Sequence, residues 1–369
     1  NVSQEQEYFY YDSYGRMNQK RDRISGTTLT SYYTYDNSNK MTSKTYPSGL
    51  KLDYDYDFNG YLTGIRRPGS MLSLFYVQST NGRGQHTSYR LGNNRTTSIT
   101  YNNGVPTRYY TSGIQDLRMG WNYANGNLTY RQDVIKGRYE SFTYDNLNRL
   151  KTARVTGQPT KSVNYASNGN ITSKTDVGSY TYPTNTRVNA VVKVSNPNNT
   201  IPATTQDVTY NGFDQPSKVK EGSFELDYTY CHNRNRNKSV LKQNGSVKTT
   251  RLYLGDFERQ TKQGVTKDIH YVDAGQGTIA IIVKVNNNYQ YYYTYTDHLG
   301  SIVRVTNGLG ITVAEQNFDP WGRKRNANTW AYSNVNSVPD WLHRGYTGHE
   351  DLPEFGLINM NGRMYDPVV

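Results

Sequence analysis

Scarcity bounds this chain before any motif is read. Cysteine occurs once, as Cys231, so no intrachain disulfide can brace the fold. The longest apolar run, residues 279–283, ends at Lys284, far short of the ~18 residues of a membrane-spanning helix. Hydrophobic residues are only 34% of the 369, and mean hydropathy is −0.87, poor material for a solid core. Helical periodicity is nearly absent, leaving room for short helical turns near Trp330 or Asp340-Trp341-Leu342 and little more. Low hydrophobicity alone would fit a disordered chain. Aromatics at 13%, with 36 tyrosines, argue instead for ordered strands, because tyrosine packs a sheet face while keeping a wet tip.

What the chain does contain is one phrase, repeated. Tyr144-Asp145-Asn146-Leu147-Asn148-Arg149-Leu150 sets an aromatic, an acid, a polar turn, a base and an aliphatic six places on. The same frame reads Tyr11-Asp12 to Met17, Tyr35-Asp36 to Met41 and Tyr56-Asp57 to Leu62. Looser copies begin at Tyr101, Tyr123, Tyr165 and Tyr182, and decayed ones at Tyr210 and Tyr230. Steps of 24 residues from Tyr11 to Tyr35 and 21 from Tyr35 to Tyr56 lie in the range of repeat proteins. Flanking residues alternate as on a strand, and Asp and Asn supply turn chemistry. The tyrosine and the aliphatic at +6 are therefore expected to meet across a hairpin. One hairpin is marginal in water, so neighbouring units must pair edge to edge. The expected fold is all-β, a large curved sheet of hairpins, with residues 196–202 (two prolines) as the clearest loop.

Net charge is +12, which invites an anionic partner such as nucleic acid. The cations are scattered, however, and many fall at +5 of the phrase with acids close by. They read as a solvated, edge-protecting surface. No groove-reading motif accompanies them, so nucleic-acid binding is not expected.

From about residue 286 the motifs become singular. Tyr295-Thr296-Asp297-His298-Leu299-Gly300-Ser301 is followed by Phe318-Asp319-Pro320-Trp321-Gly322-Arg323, then Arg344-Gly345-Tyr346-Thr347-Gly348-His349-Glu350, then Asn361-Gly362-Arg363-Met364-Tyr365-Asp366-Pro367. This ordered series, with the tyrosine phrase before it, resembles bacterial RHS/YD-repeat proteins and their RHS repeat-associated core domain. The wording is nearest to versions from Bacteroidota. The resemblance spans essentially the whole chain. It divides the chain into a repeat wall over 1–285 and a core domain over 286–369.

The resemblance implies a spiral β-sheet shell, hollow in relatives such as the C components of Tc toxin complexes and RHS polymorphic toxins. There the shell encloses a variable C-terminal toxin, and an aspartyl autoprotease in the core domain severs it. The implied partners are the chain's own toxin segment, further shell repeats and a secretion-system component, at a secreted or cell-surface location. The family's Tyr-Asp-Pro is typically followed by Gly-Arg and Ser-Pro-Asp, whereas here Val368-Val369 follow. The cleaving aspartates are therefore expected beyond Val369, the sequence reads as an excised portion, and neither Asp366 nor Arg363 is assigned a catalytic role. The alternative is a cell-surface adhesin whose tyrosines stack on carbohydrate.

No enzyme, cofactor or metal site is expected. Asp297, His298 and Ser301 invite a triad, yet lie beside a glycine turn without a placed nucleophile and base. His343, His349 and Glu350 lack a fourth ligand and the usual spacing for zinc. Gly345, Gly348, Gly356 and Gly362 read as turn positions, and Gly300 and Gly322 belong to the signature as structural residues. Asp319-Pro320 and Asp366-Pro367 read as turn initiators. Tyr346, Arg363 and Tyr365 complete the signature as structural residues.

Overall fold

The computed structural model describes residues 5–69, 73–185 and 187–369. The architecture is all-β. Strands pair antiparallel with their sequence neighbours into meanders, collected in sheets of 18 and 11 strands with two short sheets beside them. Among the described residues the helical element is one 3₁₀ turn, Tyr346–Gly348, and no helix is long and apolar enough to cross a membrane. Near Asp340 the chain makes a turn closed by the Leu342 amide on the Pro339 carbonyl, and around Trp330 another closed on Asn326.

The hairpin frame explains this regularity. Tyr144 is the register partner of Leu150, Tyr11 of Met17, Tyr35 of Met41, Tyr56 of Leu62 and Tyr165 of Ile171. In the four of these turns that carry the acid, its carboxylate replaces missing ladder partners. Asp145 Oδ1 accepts the amides of Leu147 and Arg149 at 2.9 and 3.0 Å, and Asp12 and Asp36 do the same in their turns. Asp57 caps the Tyr61 amide at 2.8 Å. The +4 position of the frame is left-handed, with φ of 58° at Asn148, 63° at Asn39 and 87° at Gly60, so Asn or Gly recurs there.

Each unit is stapled to the one before it. The Tyr35, Tyr56, Tyr144, Tyr165 and Tyr230 hydroxyls donate to the carbonyls of Met17, Met41, Leu128, Leu150 and Pro216 at 2.7–2.9 Å. In four of the five, the acceptor is the +6 residue of the preceding frame. The +5 base reaches the other way: Arg16 lies over the Tyr35 ring and donates to the Asp36 carbonyl, and Arg149 lies over Tyr165 and donates to the Ala166 carbonyl. Lys40 lies over Tyr56. These bases are connectors between repeats, which corrects the reading of them as solvated edge charges. Tyr144→Phe and Tyr165→Phe are each expected to lower stability by about 1 kcal/mol, read from urea midpoints, since each leaves a carbonyl without its donor. Unchanged midpoints would refute the staple.

Two looser frames differ from the expectation. At Tyr123 the whole frame is shifted two residues earlier: Asn122 caps the Ala124 amide, and Trp121 takes the tyrosine's part, its indole N–H donating to the Pro106 carbonyl at 2.8 Å. At Tyr101 the hairpin closes through a two-residue Asn103-Gly104 turn with φ of 50° and 85°, the geometry favoured when both central residues are left-handed. Tyr182 lies just outside its strand, Gly178–Thr181, and its frame crosses Thr186, outside the described residues.

The chain groups into two compact units, each assembled from separated segments. The first comprises residues 1–97, 206–315 and 338–364. Its apolar centre packs Ile269, Tyr271, Ile281, Val283, Ile302 and Val305 around Trp341 and Leu342. A second cluster sets Val219, Leu226 and Tyr228 against Leu352, Phe355 and Leu357. The other unit comprises residues 98–205, 316–337 and 365–369. Its buried residues include Phe142, Ala153, Val155 and Val163 from the hairpins, and Phe318 and Trp330 from the later segment.

Candidate functional site

The motifs after residue 286 are where chemistry would sit, and the first two repeat the older turn. Asp297 Oδ1 accepts the amides of Leu299 and Ser301, both at 2.9 Å, with Gly300 at φ 78° and Thr296 paired with Ile302 six places on. Asp319 caps Trp321 and Arg323 likewise, with Gly322 at φ 91° and Phe318 paired with Lys324. Thr80-Asn81 and Thr306-Asn307 are two more copies in which neither tyrosine nor acid survives. Sequence reading missed them because the surviving signal is an Asx followed by glycine three places on.

In the first unit the segment 343–350 places a string of charges against the repeat strands. Glu350, 4% exposed, meets Arg236 at 2.6 Å and Arg251 at 2.9 Å, and accepts the Tyr253 hydroxyl at 2.9 Å. Glu258, 1% exposed, meets His343 and Arg344, each at 2.5 Å. Arg236 lies over the Tyr253 ring and Arg344 over Tyr271, so the cations are covered on their faces as well. Burial opposes the charge on Glu258, yet the His343 and Arg344 charges hold its carboxyl well below the usual range. Gly345 joins this string to the Asp297 turn by accepting the Ile302 amide at 3.1 Å. Tyr346–Gly348 forms the 3₁₀ turn, with Thr347 at φ 49° and Gly348 at 72°.

The second unit has a parallel arrangement. Arg325 and Glu140, each 2% exposed, pair at 2.9 Å, and Arg131 adds a second guanidinium at 2.7 Å. Both arginines also donate to the Phe318 carbonyl. Burial would raise the Glu140 carboxyl, but Arg131 and Arg325 hold it down at about 2. Beside it, Asp319 accepts the Tyr332 hydroxyl at 2.7 Å and lies 3.5 Å from Lys161. At the last motif, Tyr365 donates to the Trp321 carbonyl at 2.6 Å, and Asp366 Oδ1 accepts the Val368 amide at 2.7 Å. Pro367 is buried, and Lys174, pulled down by burial, donates to the Val368 carbonyl at 2.6 Å. Burial raises Asp366 above the ordinary carboxyl range. Arg363 is exposed, its carbonyl accepting the Met360 amide.

These residues are not assembled as a reaction centre. Asp297 spends its carboxylate oxygen on amides, Ser301 accepts the Thr347 amide at 3.1 Å, and half-buried His298 sits inside the turn beside Pro-free backbone. His343, His349 and Glu350 go to three separate partners, Glu258, Thr347 and the arginines. Among the described residues no group of three His, Cys, Asp or Glu side chains is placed to hold a metal. Pro320 is part of the Asp319 turn. One pair that sequence reading missed is Ser48 and His270: Ser48 Oγ lies 2.7 Å from Nε2, and Nδ1 lies 2.7 Å from the Ile282 carbonyl. His270 is fully buried, and burial lowers its pKa to about 4. The carbonyl fixes the proton on Nδ1, so Ser48 donates to Nε2.

Tyrosine-stapled hairpins locked by ion-paired signature segments define the class: this is an RHS/YD-repeat shell protein. A family model described as Teneurin YD-shell matches residues 130–369, nearly two thirds of the chain, and the chain belongs to that family. Among curated proteins it is 24% identical over 363 residues to the tRNA3(Ser)-specific nuclease WapA of Bacillus spizizenii, and 26% identical over 363 residues to the tRNA nuclease WapA of Bacillus subtilis. In both cases 92% of this chain is aligned, but it spans only 14% of the relative's length. Among solved structures, TcdB2-TccC3-Cdc42 superposes with a TM-score of 0.79 over 98% of this chain and 22% of that one, at 17% identity. The Photorhabdus luminescens Tc holotoxin pore gives 0.74 over 96% of this chain and 21% of that one, also at 17% identity.

Proposed function

We propose that this chain is part of an encapsulating shell that encloses a variable C-terminal toxin and helps deliver it. The observation that supports this reading most is the staple ladder: side chains that could do chemistry are consumed in joining one hairpin to the next. Residues 1–285 serve as wall and 286–369 as the core domain. The role is structural rather than enzymatic; the nuclease activity named in the WapA relatives belongs to proteins about seven times longer than the matched segment. The partners are the toxin segment and further shell repeats, with a secretion-system component at a secreted or cell-surface location. Electron microscopy and mass spectrometry of the native protein that contains this segment should show a hollow shell holding a detached or tethered cargo. A filled globule, or a shell without cargo, would overturn the reading.

A second reading, carbohydrate binding at a cell surface, has one observation in its favour. Tyr8, Phe9, Tyr10, Tyr11 and Tyr14 are exposed by 39–79% on and beside the strand Gln6–Tyr11. Such rings offer stacking faces to sugars. Saturable binding on a glycan array, lost on Tyr8→Ala with Tyr10→Ala, would favour it.

A further inference from the structure

The acid of a regular frame is answered from within its own turn. Asp12 Oδ2 meets Arg16, and Asp145 Oδ2 meets Arg149, each at 2.7 Å. Asp319, 2% exposed, departs from this rule. Its own arginine, Arg323, lies over the Tyr332 ring, with a guanidinium nitrogen 3.7 Å from Asp176. Asp319 Oδ2 instead accepts the Tyr332 hydroxyl at 2.7 Å and faces the Lys161 ammonium at 3.5 Å, brought from 158 residues away. All of these residues belong to the second unit.

A second acid touches the same ammonium. Lys161 Nζ lies 2.5 Å from Asp176 Oδ2, and it sits 3.9 Å from the centre of the Tyr332 ring and 5.9 Å from that of Trp321. The two acids are not equivalent. Asp319 Oδ1 accepts the amides of Trp321 and Arg323 at 2.9 and 3.0 Å. Amides so placed stabilise the oxyanion that forms when a carbonyl carbon is attacked. Asp176 Oδ1, also buried, has no donor among the described residues. Burial opposes the charge on Asp176, yet Lys161 holds its carboxyl below the ordinary range, so it stays a carboxylate able to take a proton. Burial and the Asp319 charge raise the Tyr332 hydroxyl, which therefore stays protonated. The cluster thus holds an amine, a base for its proton, an acid carbon backed by two amides and a hydroxyl on the departing oxygen.

We propose that Lys161 and Asp319 condense into an intramolecular isopeptide bond, tying the strand Lys161–Tyr165 to the turn after Phe318. The lysine nitrogen bonds to Asp319 Cγ, and the Cγ–Oδ2 bond breaks. An ammonium carries three protons. One stays on the amide nitrogen, and the other two leave on Oδ2 as water. Asp176 takes the first, which frees the nitrogen lone pair. Asp176 and Tyr332 then hand both protons to Oδ2, and each ends as it began. No oxidant, cofactor or outside substrate takes part, and the step occurs once per chain. Fixed contact supplies the effective concentration that a free amine and a free acid lack in water. A cross-link between residues so far apart in sequence also restricts the unfolded chain strongly.

The test is intact-mass spectrometry of the whole chain, folded and then denatured, which should read one water below the sequence mass. Fragmentation of a protease digest should find the Lys161 peptide joined to the Asp319 peptide. Lys161→Arg keeps the cation but removes the amine, and should restore the full sequence mass. Asp176→Asn should slow the loss of water about tenfold or more, followed by mass during refolding. A folded wild-type chain at full mass, a water loss that persists in Lys161→Arg, or a bond mapped to Asp176 would overturn the proposal. Wild type alone decides the first and last of these, so a variant that fails to fold leaves the test intact.

Discussion

Glu140→Ala is expected to destabilise the second unit by about 3–5 kcal/mol, measured as a shift in the chemical denaturation midpoint. The carboxylate is 2% exposed and answers two guanidinium groups, Arg325 at 2.9 Å and Arg131 at 2.7 Å. Its removal leaves two cations facing each other in a buried place, with only the Phe318 carbonyl as common acceptor. The large effect comes from the orphaned charges more than from the lost attraction. Removing both members of the more deeply buried pair, as Glu140→Met with Arg325→Met, should therefore cost less than Glu140→Ala alone. Equal or greater loss in the double variant would refute the orphaned-charge account. Because Glu140 titrates at about 2 in the fold and near 4.5 when unfolded, its stabilisation is present above 4.5 and is lost as pH falls towards 2.

Mild acid is expected to act earlier, and on the first unit, through His270. Its folded pKa is about 4 against an ordinary 6.5, because the ring is buried and neutral. The unfolded chain binds a proton that the folded chain refuses. Stability therefore falls as pH drops below 6.5, by about 3 kcal/mol at pH 4. Denaturant titrations at pH 7 and pH 4 should show that His270→Gln lacks this loss. Gln keeps a donor and an acceptor but cannot take the proton. Parallel losses in wild type and variant would place the acid sensitivity elsewhere. The Ser48–His270 pair is thus a buried hydrogen bond whose consequence is read in pH.

The all-β fold was legible because its cause is local. A tyrosine, an acid and an aliphatic at +6 specify a hairpin within seven residues, and Asn148 or Gly60 marks the left-handed turn position. Where the local letters were lost, so was the reading. Thr80-Asn81 and Thr306-Asn307 keep the geometry without the phrase, and Trp121 does a tyrosine's work under another name. The staples were illegible for a different reason. Tyr165 gives no sign that its hydroxyl will meet Leu150, because the acceptor is a backbone carbonyl, identical in every residue.

By itself, then, the sequence determined the repeating hairpin, its register and the absence of disulfides, all properties settled within a few residues of one another. Tertiary structure alone decided which charges would be buried together. Arg325 meets Glu140 from 185 residues away, and Glu350 meets Arg236 and Arg251 from about a hundred. A buried charge tolerates burial only beside its partner, and that partner is chosen by how the meanders pack, which no local spacing encodes.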